Sequence, residues 1–314
     1  MWRVELRGGF TLVELLVVVG VAAVLLSVLL PAVARVRTSA ASVATSAQLR
    51  DLTMLYVEYA HAHRGVLLPG FLPAEVGGVQ PAVSDPASGH LFRGRTARMW
   101  PWRLMEWAGA SAGGGRAMWP VLRPGLGVGE LPQASDPPAV AESKAYNAAL
   151  YPLFGLNTVF LGGHARSTAT SPDYFRGFRA DGTPNTGGHV AFRLNEVRRP
   201  AEQIVFTEVA IQRGSRVVEG DGLSGFHYVN PPRADRASGV YWTAEGGRVR
   251  VMLPATPNRV VGVPHSRAEA AVRGGRGRVA TAFLDGHVEL LTPVELLDMR
   301  RWAPGADRAE WDFE

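Results

Sequence analysis

The feature that most constrains the fold is an apolar run of 21 residues from Phe10 to Leu30. It is interrupted only by Thr11, Glu14, Gly20 and Ser27. As a helix rising about 1.5 Å per residue, the run is about 30 Å long, which matches the hydrocarbon core of a bilayer. The sequence therefore predicts a transmembrane helix. A carboxylate at the bilayer centre costs about 2.5–3.5 kcal/mol, so we expect Glu14 to have a function.

The glycines that precede the run argue against a secretory signal peptide. Such a signal carries its small-residue cleavage site after a short apolar stretch. Here Gly8 and Gly9 come before the stretch, and the stretch is long. A plain membrane anchor is the other simple interpretation, but it gives no reason for an acidic residue in the span.

The residues around the start of the run resemble the cleavage and methylation signature of type IV prepilins and type II secretion pseudopilins. They read Gly9-Phe10-Thr11-Leu12-Val13-Glu14. The resemblance implies that residues 1–9 are a cytoplasmic leader and that a prepilin peptidase cuts between Gly9 and Phe10. It also implies that the new amino group of Phe10 is N-methylated. The chain would then be a single-pass protein of the inner membrane, with its head in the periplasm or outside the cell.

The same resemblance gives Glu14 a role in assembly. Once the leader is removed, Phe10 carries a charged amine one helical turn from Glu14, because residues i and i+4 share a helix face. Neither charge is stable without a partner in hydrocarbon. The resemblance implies that Glu14 of an incoming subunit pairs with the Phe10 amine of a neighbour, and an ion pair within one chain is the alternative. Other pilin subunits and an inner-membrane assembly platform are the implied partners.

Helical periodicity continues beyond the apolar run. Apolar residues recur at three- and four-residue steps on two successive stripes: Val33, Val36, Ala40, Val43 and Ala47, then Leu49, Leu52, Tyr56 and Tyr59. This pattern predicts one spine helix with a transmembrane half at 10–30 and an amphipathic half at 31–64, ending before Gly65. We expect the second half to pack on the head.

Residues 65–314 predict a loop-rich head of antiparallel strands, because the chain is rich in glycine and proline. Alternating apolar stretches predict strands at 189–194, 203–209, 240–243, 248–253, 278–284 and 287–291. Asp285-Gly286 between the last two predicts a type I′ hairpin turn, and Thr292-Pro293-Val294-Glu295 predicts a capping box. With the spine helix, these strands predict an α+β fold.

The last hairpin carries a second resemblance. Asp285-Gly286-His287-Val288 resembles the C-terminal motif of a pseudopilin-like subfamily, in which a histidine precedes Asp-Gly by nine residues. His265 is the candidate histidine, but nineteen residues separate it from Asp285. We interpret the Gly/Arg-rich stretch 267–278 as a loop insertion and the motif at 265–288 as structural. A zinc site formed by His265, Asp285 and His287 is the alternative.

Two further binding functions remain open. Some major pseudopilins hold calcium in a C-terminal loop, but the candidate aspartates here form no dense run of oxygen ligands. They are Asp173, Asp181, Asp221 and Asp235. Four tryptophans lie within 99–120, and they predict core packing, with a carbohydrate-binding or adhesive surface as the alternative. They are Trp100, Trp102, Trp107 and Trp119.

The sequence contains no nucleophile elbow, phosphate loop or HExxH motif. It has no cysteine, so it offers no disulfide and no thiol chemistry. The net charge of +5 and the arginines of the 267–278 stretch could favour DNA phosphates, but a solvated loop is the simpler interpretation. The sequence therefore predicts a structural subunit of a pilus or pseudopilus that is not an enzyme and needs no cofactor. The alternatives are a membrane-anchored, non-polymerising extracytoplasmic binding protein and a tethered metal-dependent enzyme.

Overall fold

A computed structural model gives the fold of this chain and divides it into two compact units, residues 1–44 and residues 45–314. The structure describes residues 12–112, 131–165, 177–178, 183–184, 189–213, 216–217, 226–233, 242–246, 248–251, 260–264 and 277–311.

Helix α1 runs without a break from Leu12 to Ala62, a length of 51 residues. This confirms the predicted long helix. Pro31 lies inside it and has no N–H group, so the helix loses one backbone hydrogen bond there without ending. The side chains of residues 12–37 are exposed throughout. Within the described ranges, α1 is the one helix long and apolar enough to cross a membrane.

The end of α1 is fixed by two residues in the left-handed region. Arg64 has a φ of 57° and Gly65 has a φ of 83°. This conformation lets the Gly65 N–H donate to the Ala60 carbonyl at 2.7 Å, which closes the last turn as in a Schellman motif. The predicted end before Gly65 is therefore confirmed.

The remaining helices and strands are short. The helices are α2 (Gly94–Arg98), α3 (Trp100–Ala112) and α4 (Pro138–Leu150), with 3₁₀ turns at Leu194–Glu196, Pro200–Glu202, Glu295–Leu297 and Met299–Arg301. The strands are β1 (Val83–Ser84), β2 (Leu91–Phe92), β3 (Phe154–Leu156), β4 (Ile204–Arg213), β5 (Arg216–Val217), β6 (Trp242–Glu245), β7 (Arg248–Val251), β8 (Val260–Pro264), β9 (Val279–Phe283) and β10 (Val288–Leu291).

The longest strand, β4, is the centre of a six-stranded sheet and is antiparallel to each of its partners. Its first part pairs with β3, where Phe154 lies opposite Glu208, and with β9, where Thr281 lies opposite Thr207. Its last part pairs with β8 and β5. Strand β10 continues the sheet beyond β9. The described residues thus combine one long helix with antiparallel sheets in an α+β arrangement.

Side chains pack on both faces of this sheet. One core contains Ala280 and Ala282 of β9 and Phe206 of β4. It also contains buried residues of α1, α3 and α4. The other core contains Val279 and Phe283 of β9. Because successive strand residues point to opposite faces, one strand supplies both cores.

Helix α1 enters the first core through its last four turns. The buried side chains there include Leu49, Leu52 and Tyr56, which confirms the second predicted stripe. The Tyr56 ring meets the Phe206 ring edge to face, with centroids 5.5 Å apart. Val43, on the first predicted stripe, is exposed.

The segment after β10 closes the second core. Trp302 is fully buried, and its carbonyl accepts hydrogen bonds from the side-chain amides of Asn157 at 2.9 Å and of Gln203. These two bonds fix the segment to the strands that precede it. The predicted capping box is confirmed, because the Thr292 N–H donates to the Glu295 carboxylate at 2.7 Å and the Glu295 N–H donates back to the Thr292 hydroxyl. The box opens one 3₁₀ turn only.

The prediction of a strand at 189–194 is wrong. Ala191 and Arg193 form isolated bridges, and the chain then turns into the 3₁₀ segment Leu194–Glu196. The reason is local, because the Glu196 carboxylate accepts the N–H groups of Phe192 and Arg193 and so bends the backbone. By contrast, the predicted pair at 240–253 is present as the hairpin of β6 and β7.

Candidate functional site

The amino-terminal signature is described only in part. Gly9 and Phe10, the predicted cleavage and methylation residues, lie outside the described residues. Glu14 lies in the first turn of α1 and is exposed. Its neighbours on the helix are apolar and exposed as well, so its carboxylate stands on an otherwise hydrocarbon-like surface.

The hairpin of β9 and β10 carries the predicted Asp285-Gly286-His287 motif. Phe283 and His287 close the hairpin, because the Phe283 N–H donates to the His287 carbonyl at 3.0 Å. Gly286 donates its N–H to the Phe283 carbonyl at 2.9 Å and has a φ of 92°. The predicted type I′ turn is wrong, since Asp285 is not in the positive-φ region. The loop has three residues and follows the pattern of a turn with a glycine bulge.

Asp285 stabilises this loop through its side chain. Its Oδ1 atom accepts the His287 N–H at 3.2 Å and lies 2.5 Å from the His287 Nδ1 atom. Asparagine and aspartate favour turns for this reason, because the side chain replaces a backbone acceptor. These bonds hold the Asp285 side chain against the loop, in which Gly286 is the residue with a positive φ.

Three contacts hold the half-buried His287 side chain in place. Its ring is parallel to the Phe283 ring, with centroids 4.4 Å apart. Its two nitrogens face carboxylates, Nδ1 toward Asp285 and Nε2 toward Glu289 at 3.6 Å. Arg301 lies 3.6 Å from the same Glu289 carboxylate. The cluster is an exposed charge network on an edge strand, and its geometry suits a structural role.

Neither the candidate zinc site nor the candidate calcium site lies entirely within the described residues. His265, the third zinc candidate, lies outside the described residues, as do Asp173, Asp181, Asp221 and Asp235. Among the residues that the structure describes, no group of three or more histidine and acidic side chains is placed to hold a metal ion. Residues 267–276 of the Gly/Arg-rich stretch also fall outside these ranges, while Arg278 is exposed.

The tryptophan segment is largely core. Trp100 and Trp102 of α3 are fully buried, and each indole donates to a backbone carbonyl, that of His227 at 2.5 Å and that of Ala145 at 2.8 Å. These bonds satisfy the polar end of each ring. Trp107 is only half-buried, and Trp119 lies outside the described residues.

A buried histidine lies behind this segment. The His227 ring packs near the rings of Phe226 and Tyr228, with centroids 4.7 and 4.9 Å away. Burial lowers the pKa of His227 to about 3, because the charged imidazolium would be removed from water. Its Nδ1 atom is buried and meets no hydrogen-bond partner among the described residues. His227 is therefore a neutral core residue, and the sequence analysis did not single it out.

The head also contains a cavity of about 760 Å³, which no motif in the sequence predicts. The end of α1 lines it with Tyr59 and His63, and α3 lines it with Arg103, Glu106 and Trp107. Mostly apolar residues of the segment 66–82 form the remaining wall. All of these residues lie within the unit formed by residues 45–314.

The two charged residues of the cavity, Glu106 and Arg103, differ in how many of their polar atoms form hydrogen bonds. The Glu106 Oε1 atom accepts both the N–H and the hydroxyl of Ser84, each at 2.8 Å. Arg103 donates from one terminal nitrogen to the Pro69 carbonyl, and its Nε atom is buried without a partner among the described residues. Burial lowers the pKa of Arg103 to about 10, against a smaller opposing effect of Tyr59 and Tyr56.

Comparison of the chain with protein-family models, with curated proteins and with solved structures finds no match.

Proposed function

We propose that this protein is a pilin-like structural subunit of a type II secretion pseudopilus or a type IV pilus. A prepilin peptidase removes the leader after Gly9, and the mature chain assembles through its amino-terminal helix. It is a single-pass protein of the inner membrane with its head in the periplasm or outside. The protein performs no catalysis in this role.

One observation carries the proposal. The signature ends at Glu14, in the first turn of an unbroken 51-residue helix, and the apolar side chains of that helix are exposed from Leu12 to Val36. A lipid-facing anchor would need only the apolar surface. An acidic residue one helical turn from the predicted new terminus costs free energy in lipid and is explained by a partner charge on a neighbouring subunit.

The experiment that tests this proposal is cross-linking between neighbouring helices. The native chain has no cysteine, so single cysteines introduced at exposed positions between Val17 and Leu30 report only designed contacts. We expect disulfide-linked multimers in membranes that also contain the assembly machinery. We expect Glu14→Ala to be inserted and cleaved but to lose these multimers, because an unpaired buried charge costs about 3–5 kcal/mol.

The matched control is Glu58→Ala. Glu58 is an exposed acid on the same helix, outside the apolar run, so its loss should leave cross-linking unchanged. Glu14→Asp should restore part of the cross-linking. Cross-linking of Glu14→Ala at the wild-type level, or no cross-linking of the wild type, would contradict the proposed assembly.

The cavity beside Arg103 favours a second candidate, a membrane-anchored binding protein that does not polymerise. The two candidates differ in the Glu14 experiment, since a non-assembling anchor forms no multimers in any variant. They do not differ in whether the head can bind a ligand.

A further inference from the structure

The cavity on the head has the size of a small-molecule site. Its volume of about 760 Å³ falls within the range of about 300–1,000 Å³ that is typical of ligand pockets. It is open to solvent, and the exposed side chains of Val76 and Val79, which flank a tight turn, form part of its rim. The walls are mainly apolar, with a few polar groups from α1 and α3.

The turn at this rim is well defined. Val76 and Val79 exchange both backbone hydrogen bonds, at 2.9 and 3.1 Å, and the two glycines between them have φ values of 59° and 78°. Two positive φ values in a two-residue loop are typical of a type I′ turn. The turn therefore holds two valine side chains at the cavity without help from a ligand.

Arg103 is the unusual group in this cavity. A guanidinium has five N–H donors, and within the described part of the chain Arg103 makes one hydrogen bond and no ion pair. The nearest acid on the same helix face, Glu106, is three residues further on, and its Oε1 atom is bonded to Ser84. A cation that is partly removed from water without an anion is costly. An anionic ligand would remove that cost.

The aromatic wall next to Arg103 defines the rest of the ligand. The Tyr59 and Trp107 rings meet edge to face with centroids 5.7 Å apart, and the Tyr59 and His63 rings are stacked at 3.9 Å. The hydrogen bond from the His63 ring to the Tyr59 carbonyl, 2.7 Å long, fixes this arrangement. Such a wall favours an apolar or aromatic body.

We propose that the cavity binds a carboxylate on a small apolar body, with the carboxylate on Arg103 and the body against Trp107 and Tyr59. The ligand is either a free organic acid or the carboxyl terminus of a peptide that ends in an apolar residue. Arginine suits this group because its planar fork can donate two parallel hydrogen bonds to one carboxylate. This inference is independent of filament assembly, because the cavity lies in the head and does not involve the apolar half of α1.

The test is calorimetric titration of the full-length protein in lipid nanodiscs. The probes are 3-phenylpropionate and the peptide Ala-Ala-Phe, each compared with its primary amide, which removes the charge and keeps the body. We expect the acid of at least one pair to bind and its amide to bind at least tenfold more weakly. Binding by the peptide alone would assign the carboxylate to a chain terminus.

Arg103→Gln should weaken binding of the acid at least tenfold, because a buried charge pair is lost. Arg93→Gln is the matched control, since it removes an exposed arginine of the preceding loop. Val79→Trp is a second variant that fills the rim and leaves Arg103 in place, and it should also weaken binding at least tenfold. Thermal unfolding of each variant checks that the head remains folded. Failure of the wild type to prefer either acid over its amide, or unchanged binding by folded Arg103→Gln, would overturn the proposal.

Discussion

Gly286 lies against the side chain of Met54, and a β-carbon added at Gly286 would stand 2.9 Å from the Met54 sulfur. Met54 belongs to α1, and Gly286 belongs to the loop between β9 and β10. The loop is therefore constrained strongly by its own backbone conformation and weakly by Met54, whose 46% exposed side chain is flexible enough to shift.

Gly286→Val should destabilise the head by about 1–3 kcal/mol, because a β-branched residue is strained at a φ of 92°. Chemical denaturation of the full-length protein in detergent measures this. Gly286→Ala in a Met54→Ala background separates the two constraints, since Met54→Ala removes the steric contact and leaves the backbone strain. Gly246→Ala is the control for positive φ alone, as a β-carbon there meets no atom within 4 Å. An unfolding midpoint for Gly286→Val equal to that of the wild type would show that the loop does not require glycine.

His227 should make the protein less stable in mild acid. Its pKa is lowered to about 3 in the folded protein, against about 6.5 in an unfolded chain. Below pH about 6.5 the unfolded chain therefore binds one more proton, and stability falls by about 1.4 kcal/mol per pH unit until the pH nears 3. Above pH 6.5 the full contribution is present.

The free energy of unfolding is measured by denaturation at pH 7, 6 and 5 for the wild type and for His227→Phe. The variant should lose the part of the pH dependence that His227 contributes. Phe226→Leu is the control, because it loosens the same cluster and removes no titratable group. Equal slopes for the wild type and His227→Phe would mean that His227 is not held neutral.

The capping box after β10 should contribute measurably to stability. Thr292→Ala removes both the hydroxyl that donates to Glu295 at 2.8 Å and the acceptor of the Glu295 N–H. Losses of such caps cost about 0.5–2 kcal/mol. Val294→Ala, in the same turn, should have little effect because that side chain is 60% exposed. The free energy of unfolding of the two variants is the measurement, and equal losses would argue against a capping role.

The mature protein isolated from membranes should begin at an N-methylated Phe10. Mass spectrometry of its first peptide tests this directly. Gly9→Leu should keep the leader attached, since the resemblance places the scissile bond after Gly9, whereas Gly8→Ala should be processed normally. A terminus at Met1, or a cut after Ala22 or Ala23, would rule out prepilin processing.

The spine helix and the last hairpin could be predicted because each depends on local pattern. An unbroken apolar run followed by a stripe at helical spacing specifies α1 whatever it packs against, and a glycine after the last apolar position marks its end. The Asp285-Gly286 pair located the hairpin but not its turn type, because the type depends on which residues close the ladder. Here Phe283 and His287 close it.

The cavity could not be predicted because it depends on distant packing. Arg103 and Glu106 stand three apart on a helix, which is the spacing of an ordinary exposed ion pair. Their separation into a Ser84-bound acid and a partly buried cation depends on where β1 and the segment 66–82 lie. Burial of Trp302 in a second core is likewise a property of the completed sheet and has no signature in the neighbouring residues.

The central place of β4 also governs when the head can fold during synthesis. Phe206 of β4 packs against Tyr56, which comes much earlier in the chain. Strand β9, which pairs with β4, begins only at Val279. A nascent chain that has reached Arg213 thus carries its longest strand before three of the strands that pair with it, β5, β8 and β9, have been made. Contacts so distant along the chain form slowly, and an open strand edge invites pairing with other chains. Until β9 has been made, β4 therefore exposes backbone groups to which another chain can pair.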